Sequence, residues 1–217
     1  MTLLRIDASI QDEHSRSRQI ADIVEQEWRA ERPGVDVVRR DLGTDPIPAT
    51  AWADAHTAKL VAPESWSDGQ RSAVALAGAA VDQLAAAEAV LLATPLYNFG
   101  VSQHVKTWVD LVITDPRMAA GADPVTAGKP AVLVVVRGGS YAPGTPRDGW
   151  DHATGWLRRI LADVWQMQVE VVEQEFTLVG VVPALDQFKE LAADLRVAAE
   201  EQARLHGQLL GRGRPAA

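Results

Sequence analysis

A switch of hydrophobic period, repeated from one end to the other, constrains this chain more than any other feature. Short apolar runs at Leu3–Asp7, Val35–Arg40, Ala89–Thr94, Ala131–Val136 and Val169–Glu175 alternate with long amphipathic stretches. The runs AVLLAT, AVLVVV and LLRID are almost continuously apolar, as strands covered on both faces are. Between the runs the period becomes helical. Ala153, Trp156, Leu157, Ile160, Leu161 and Val164 share one helical face, and Val101, Val105, Trp108, Val109 and Val112 share another. Ile20, Ile23, Val24 and Trp28 make a third stripe, and Phe188, Leu191 and Leu195 open a fourth. Alternating strands and helices imply right-handed crossovers, hence an α/β fold with helices on both faces of a parallel sheet. Five strands predict the doubly wound order 2-1-3-4-5.

The 217 residues suit one domain, expected over 1–211, with a disordered tail at 212–217. Residues 43–68, where proline interrupts polar sequence, predict a loop with a short helix near 51–60. The absence of cysteine excludes disulfides, thiolate metal sites and a cysteine nucleophile. A net charge of −8 argues against nucleic-acid binding. The start lacks the apolar core of a signal peptide, and no apolar run approaches the ~18 residues of a membrane span, so a cytoplasmic location is expected. His14, His56, His104, His152 and His206 show no metal-ligand spacing.

Ligands of open α/β sheets bind beyond the carboxyl ends of the strands, near the switch in strand order. Three loops converge there. The first holds Ser9, Ser15, Arg16, Ser17 and Arg18 where a helix begins. Free N–H groups and a positive dipole end make that position an anion site, although Ser15 also reads as a plain N-cap. Without a G-x-x-x-x-G-K-[ST] or G-x-G-x-x-G run, a nucleoside triphosphate or a Rossmann-type dinucleotide is not expected. The second loop is Pro95-Leu96-Tyr97-Asn98-Phe99-Gly100. Its aromatic residues either border a flat heterocycle or, the reading favoured by the residues alone, fill the core. The third loop opens Arg137-Gly138-Gly139, where paired glycines let backbone approach a ligand.

Together these loops resemble the FMN-dependent NADH:quinone oxidoreductase and NADH-azoreductase family, which has the flavodoxin-like fold. The most specific piece is P-L-Y-N-F-G-V-S-x-x-V-K-x-W-V-D at 95–110, joined by Arg137-Gly138-Gly139 and the S-x-S step at 15–17. The resemblance implies FMN as cofactor, with NADH or NADPH as electron donor. It implies a quinone, azo or nitro compound as small-molecule acceptor, reduced in a ping-pong cycle through flavin N5. Ser9, Ser15, Arg16 and Ser17 would hold the phosphate. Pro95, Leu96, Tyr97, Asn98 and Phe99 would border the isoalloxazine, and Val136, Arg137, Gly138 and Gly139 would approach its pyrimidine edge. It also implies a homodimer with FMN at the interface.

Two stretches depart from the family. Ile113–Met118 carries no aromatic residue, and the Gly/Pro-rich loop at 141–150 runs into Trp150-Asp151-His152. Both fall where an acceptor would sit. Asn98 and His152 are therefore candidate catalytic residues, whereas His104 reads as solvated. Lys106 and Asp110, i and i+4, read as a surface ion pair. The alternative function is an electron carrier or flavin-binding module without a small substrate; the missing Thr/Gly-rich phosphate loop counts against it. A serine hydrolase has no G-x-S-x-G support.

Overall fold

A computed structural model describes residues 2–213. The five apolar runs form β1 (Thr2–Asp7), β2 (Asp36–Asp41), β3 (Ala89–Pro95), β4 (Pro130–Val136) and β5 (Gln168–Gln174). They make one parallel sheet in the order β2-β1-β3-β4-β5, as expected. Every residue of the central strand β3 is buried. No residue of the edge strand β2 is buried, and it carries Arg39 and Arg40, charges that discourage pairing with another edge.

Side chains alternate between the two faces, which divides the core in two. Leu4, Ile6, Val90, Leu92, Leu133 and Val135 pack under α2 (Ala51–Ala58), α3 (Asp68–Ala86), α4 (Gln103–Val112) and α5 (Thr154–Arg158). Leu3, Leu91, Ala93, Val132 and Val134 pack under α1 (Arg16–Glu31) and α6 (Lys189–Arg212). A one-residue slip of any central strand would exchange these sets, so the register is strongly determined. Among the described residues no helix is long and apolar enough to cross a membrane.

Three helices differ from the sequence reading. The stripes traced above leave α3 unassigned, because its buried face is mainly alanine, namely Ala73, Ala77 and Ala80 with Val81 and Leu84. The signal that locates it is the capping box of Ser67 and Gln70. In α6 the buried face is not Phe188, Leu191 and Leu195. Phe188 and Leu191 are exposed, and Ala199, Ala203, Gly207, Leu210 and Gly211 are buried instead. A Cβ on Gly207 would lie 2.6 Å from the Val24 carbonyl oxygen, so α6 reaches the backbone of α1 through small residues. The stripe from 153 continues past α5 as a π-helical turn over Arg159–Val164, closed by Trp165 N–H donating to Ile160 O at 2.8 Å. That turn seats Trp165 edge-on against Trp108, with centroids 5.4 Å apart. Arg212 closes α6, so it is not part of a tail, and the rest of the expected tail from 214 onward lies outside the described residues.

Candidate functional site

A cavity of about 800 Å³ opens at the carboxyl end of the sheet, where β1 and β3 send their chains to opposite faces. The loops after β1, β3 and β4 line it, as the topology predicts. A fourth wall, Thr177–Leu185, follows β5 and was not foreseen. Its signal is the apolar run Leu178-Val179-Gly180-Val181-Val182, too hydrophobic for an ordinary surface loop.

At the first loop, Ser15 caps α1 by accepting from Arg18 N–H at 3.4 Å. The Ser15 and Ser17 hydroxyls are 3.1 Å apart, and both residues are buried. Ser9, Ser15 and Arg16 line the cavity; Ser17 is not on its wall and supports Ser15 from behind. Ser9 Oγ accepts from Gln11 N–H at 3.1 Å and lies 3.3 Å from the Tyr97 hydroxyl. Burial, with Arg196 nearby, lowers the pKa of Arg16.

Arg18 braces this loop rather than facing the cavity. Its Nε donates to Gln11 O at 3.0 Å, its Nη2 donates to Ser9 O at 3.0 Å, and the guanidinium grips both Asp41 oxygens at 2.7 and 2.9 Å. Asp41 also accepts from Gly43 and Thr44 N–H. Burial pushes the Asp41 carboxyl up, but Arg18 and the Thr44 N–H prevail and hold it below the usual range. A Cβ on Gly43 would sit 1.9 Å from Ser9 O, so only glycine lets the β2 loop close on the β1 loop. A second cavity of about 380 Å³ behind this loop is lined by Arg5, Asp7, Arg18 and Asp41, among others. These charges satisfy one another: Arg5 bonds Asp7 at 2.9 Å and Glu25 at 3.0 Å. That space is scaffold.

The loop after β3 is a tight turn. Gly100 N–H donates to Tyr97 O at 3.0 Å, with φ of 49° at Asn98 and 67° at Phe99. Two consecutive left-handed residues define a type I′ turn, and a bulky side chain there is strained. The turn carries Asn98 and Phe99 outward, so Phe99 is 37% exposed and does not fill the core. Tyr97 is half-buried, its hydroxyl accepting from Ile10 N–H at 3.3 Å. Pro95, Leu96, Tyr97, Asn98 and Phe99 all reach the cavity.

After β4, Val136, Gly138 and Gly139 line the cavity, but the Arg137 side chain does not. Its guanidinium turns inward to Asp151 at 2.8 Å, Thr154 Oγ1 at 2.9 Å and Glu173 at 2.7 Å. Burial opposes its charge; Glu173 and Asp151 outweigh that and raise its pKa. The carbonyls of Arg137, Gly138 and Gly139 accept from Thr177, Leu178 and Phe176 N–H, which zips the fourth wall to the glycines. A Cβ on Gly138 would lie 2.5 Å from Leu178 Cδ1. Among the described residues, the Gly138 and Gly139 N–H groups have no hydrogen-bond partner.

His152 is exposed and off the cavity wall; its backbone N–H donates to Phe99 O at 3.0 Å. The Ile113–Met118 stretch also lies off the wall. Met118 is fully buried, and Arg117 ties the stretch to Asp82 on α3. Lys106 and Asp110 pair as expected, at 2.5 Å. Among the described residues no Asp or Glu lines the large cavity, whereas Arg16 and Arg147 do. The arrangement offers hydroxyls, a helix N-terminus and arginine at one end, an apolar slot in the middle, and unpartnered amides along one side. It suits a flat, anionic, mostly apolar ligand.

A family profile described as a flavodoxin-like fold matches residues 1–200. The chain belongs to that family. This flavodoxin-like chain is 36% identical over 203 residues to an FMN-dependent NADH:quinone oxidoreductase of Streptomyces avermitilis, covering 93% of each chain. It is also 36% identical over 209 residues to a protein of that name from Frankia casuarinae, covering 95% of this chain and 99% of the relative. Among solved structures it resembles an azoreductase from Bacillus anthracis, with a TM-score of 0.75 at 19% identity over 95% of this chain and 98% of the other. An FMN-dependent NADH-azoreductase from the same species, in complex with FMN, aligns with a TM-score of 0.70 at 15% identity over 95% and 100%. At those identities the structural likeness speaks for the flavodoxin-like fold alone.

Proposed function

We propose that this chain is an FMN-dependent NAD(P)H oxidoreductase that reduces quinones, azo or related small acceptors. One observation carries the reading. The 800 Å³ cavity joins a serine-capped helix N-terminus at one end to unpartnered Gly138 and Gly139 N–H groups along its side, with an apolar slot between. The relatives named above, similar over nearly the whole length, support it.

The residues present fit FMN. A phosphate needs donors and a positive end, which the Ser9 and Ser15 hydroxyls, Arg16 and the first turn of α1 supply. Leu96, Tyr97, Asn98 and Phe99 would border the ring, and the Gly138–Gly139 amides would meet its polar edge. Bound there, FMN would supply two-electron redox chemistry between NAD(P)H and the acceptor. For a quinone the sum is NAD(P)H, a proton and quinone giving NAD(P)⁺ and quinol. The chain's own part is to hold and orient. Fixed amides beside developing negative charge act as in an oxyanion hole, without reorganisation cost. The fourth wall and the Asn98–Phe99 turn border the same cavity, so donor and acceptor would use it in turn. Solvent reaches the exposed turn, so no side chain need donate the proton.

Residues 1–211 act in this reading as one FMN-binding unit, working as a homodimer. Val181, 71% exposed, and Leu178 line the cavity, and Phe188, Leu191 and Val197 farther along the chain are also exposed; a second copy would cover this apolar surface. The test is direct. The purified protein should be yellow, release FMN on denaturation, and oxidise NADH or NADPH only when menadione or an azo dye is added. A colourless protein that takes up no added FMN refutes the proposal.

A further inference from the structure

We infer that Arg147 makes the cavity selective for acceptors carrying a carboxylate or sulfonate on their aromatic ring. The inference rests on the oxidoreductase reading and names the substrate class of that site. Two arginines of the β4 loop behave in opposite ways. Arg137 is buried and engaged by Asp151 and Glu173. Arg147 lines the cavity, and among the described residues its guanidinium has no carboxylate partner, although the chain carries 29 acidic residues.

Arg147 is nevertheless placed. Its guanidinium carbon lies 5.6 Å from the centroid of Phe99, over the ring. Phe99 meets Trp150 edge-on at 5.3 Å and Tyr141 edge-on at 6.3 Å. Behind it, a Cβ on Gly139 would come within 3.4 Å of Arg147 Nη1, so the guanidinium lies against the glycine step. A guanidinium stacked on an aromatic face keeps its in-plane N–H donors free for a planar anion. A neutral quinone or azo compound needs no cation at this place. A flat aromatic acid does: its ring meets Phe99 and Tyr141, and its anionic group meets Arg147. Among the described residues no Asp or Glu stands on the wall to oppose that anion, although the whole protein carries −8.

The experiment uses the FMN-loaded enzyme and two matched acceptor pairs: azobenzene-4-carboxylate with its methyl ester, and 1,4-naphthoquinone-2-sulfonate with menadione. For each pair the ratio of kcat/KM, anion over neutral, is compared between wild type and variants. Differences in acceptor potential cancel in that comparison. Arg147→Ala should lower the ratio about fivefold to tenfold, Arg147→Lys should retain part of it, and Arg147→Glu should lower it further. Raising salt should depress the ratio in the wild type and hardly affect it in Arg147→Ala. FMN content, measured on every variant, should stay at one per chain, which excludes a folding defect at this exposed residue.

An unchanged ratio in an active, flavin-bearing Arg147→Ala enzyme overturns this inference and leaves the oxidoreductase reading intact. A fall confined to kcat/KM for the nicotinamide also overturns it, because Arg147 would then read dinucleotide phosphates. A wild type that lacks flavin and NADH oxidation refutes the oxidoreductase reading itself, and this inference with it.

Discussion

The two ends of the cavity are built by opposite means. At the β1 end, Ser9, Ser15 and Ser17 are buried, Arg18 and Asp41 clamp two loops together, and Gly43 lies against the Ser9 carbonyl. At the far end, Phe99 and Trp150 are 37% and 49% exposed, and a Gly/Pro-rich loop carries Tyr141 and Arg147. One end is interlocked and tolerates little change; the other is open, aromatic and adaptable. A constant ligand group suits the first and a variable one the second. Gripping a cofactor and choosing an acceptor are thus assigned to separate pieces of chain.

Substitutions at the interlocked end should do the most damage. Gly43→Val puts its Cβ 1.9 Å from Ser9 O and forces the loops apart. Overpacking of this kind costs about 1–3 kcal/mol or more, and the displaced phosphate donors should weaken FMN binding by roughly 100-fold, read by fluorescence titration. If Gly43→Val binds FMN normally, the two ends are not built differently.

Next in size is Asp41→Asn, which removes the carboxylate that the half-buried Arg18 grips through both terminal nitrogens. Because Asp41 is partly solvated, roughly 1–2 kcal/mol of stability should be lost at pH 7, measured by urea unfolding. The sign with pH follows from its lowered pKa. The stabilisation is fully present above the ordinary carboxylate value near pH 4, and disappears as pH falls through the lower folded value. The Asn variant should therefore lack that acid-induced loss, and the two stability curves should converge in acid.

At the adaptable end, Phe99→Ala should raise acceptor KM by about threefold to tenfold from lost ring contact, and weaken FMN binding far less than Gly43→Val, since Leu96, Tyr97 and Asn98 still border the ring. The smallest effect is expected at His152. Its side chain is exposed and off the wall, and only its backbone holds Phe99, so His152→Ala should change kcat/KM by less than about twofold with any acceptor. A larger, acceptor-specific loss would return His152 to the chemistry and blur the contrast.

How much of this was legible in sequence depended on side-chain contrast. The β3 and β4 runs announce themselves because a strand covered on both faces is apolar throughout. Their order and converging loops then follow from connectivity. Helix α3 was not visible, since Ala73, Ala77 and Ala80 on its inner face differ little from the alanines outside. In α6, glycine and alanine are buried while Leu191 is exposed, because close backbone approach to α1 demands small size rather than hydrophobicity. Within the site, the residue types pointed to the right loops, but not to side-chain direction. Arg137 turns inward to carboxylates distant in sequence, and the Asn98–Phe99 turn lifts aromatic residues that read as core.

The inward turn of Arg137 has a further consequence. With that cation locked onto Glu173 and Asp151, what Gly138 and Gly139 themselves turn to the ligand is peptide groups alone. Peptide N–H groups have no proton to gain or lose between roughly pH 4 and pH 10, unlike a histidine or lysine placed there. Those two donors are therefore constant across the acidity a living cell can present. Any bell-shaped rate profile must then originate in the reactants or elsewhere on the chain.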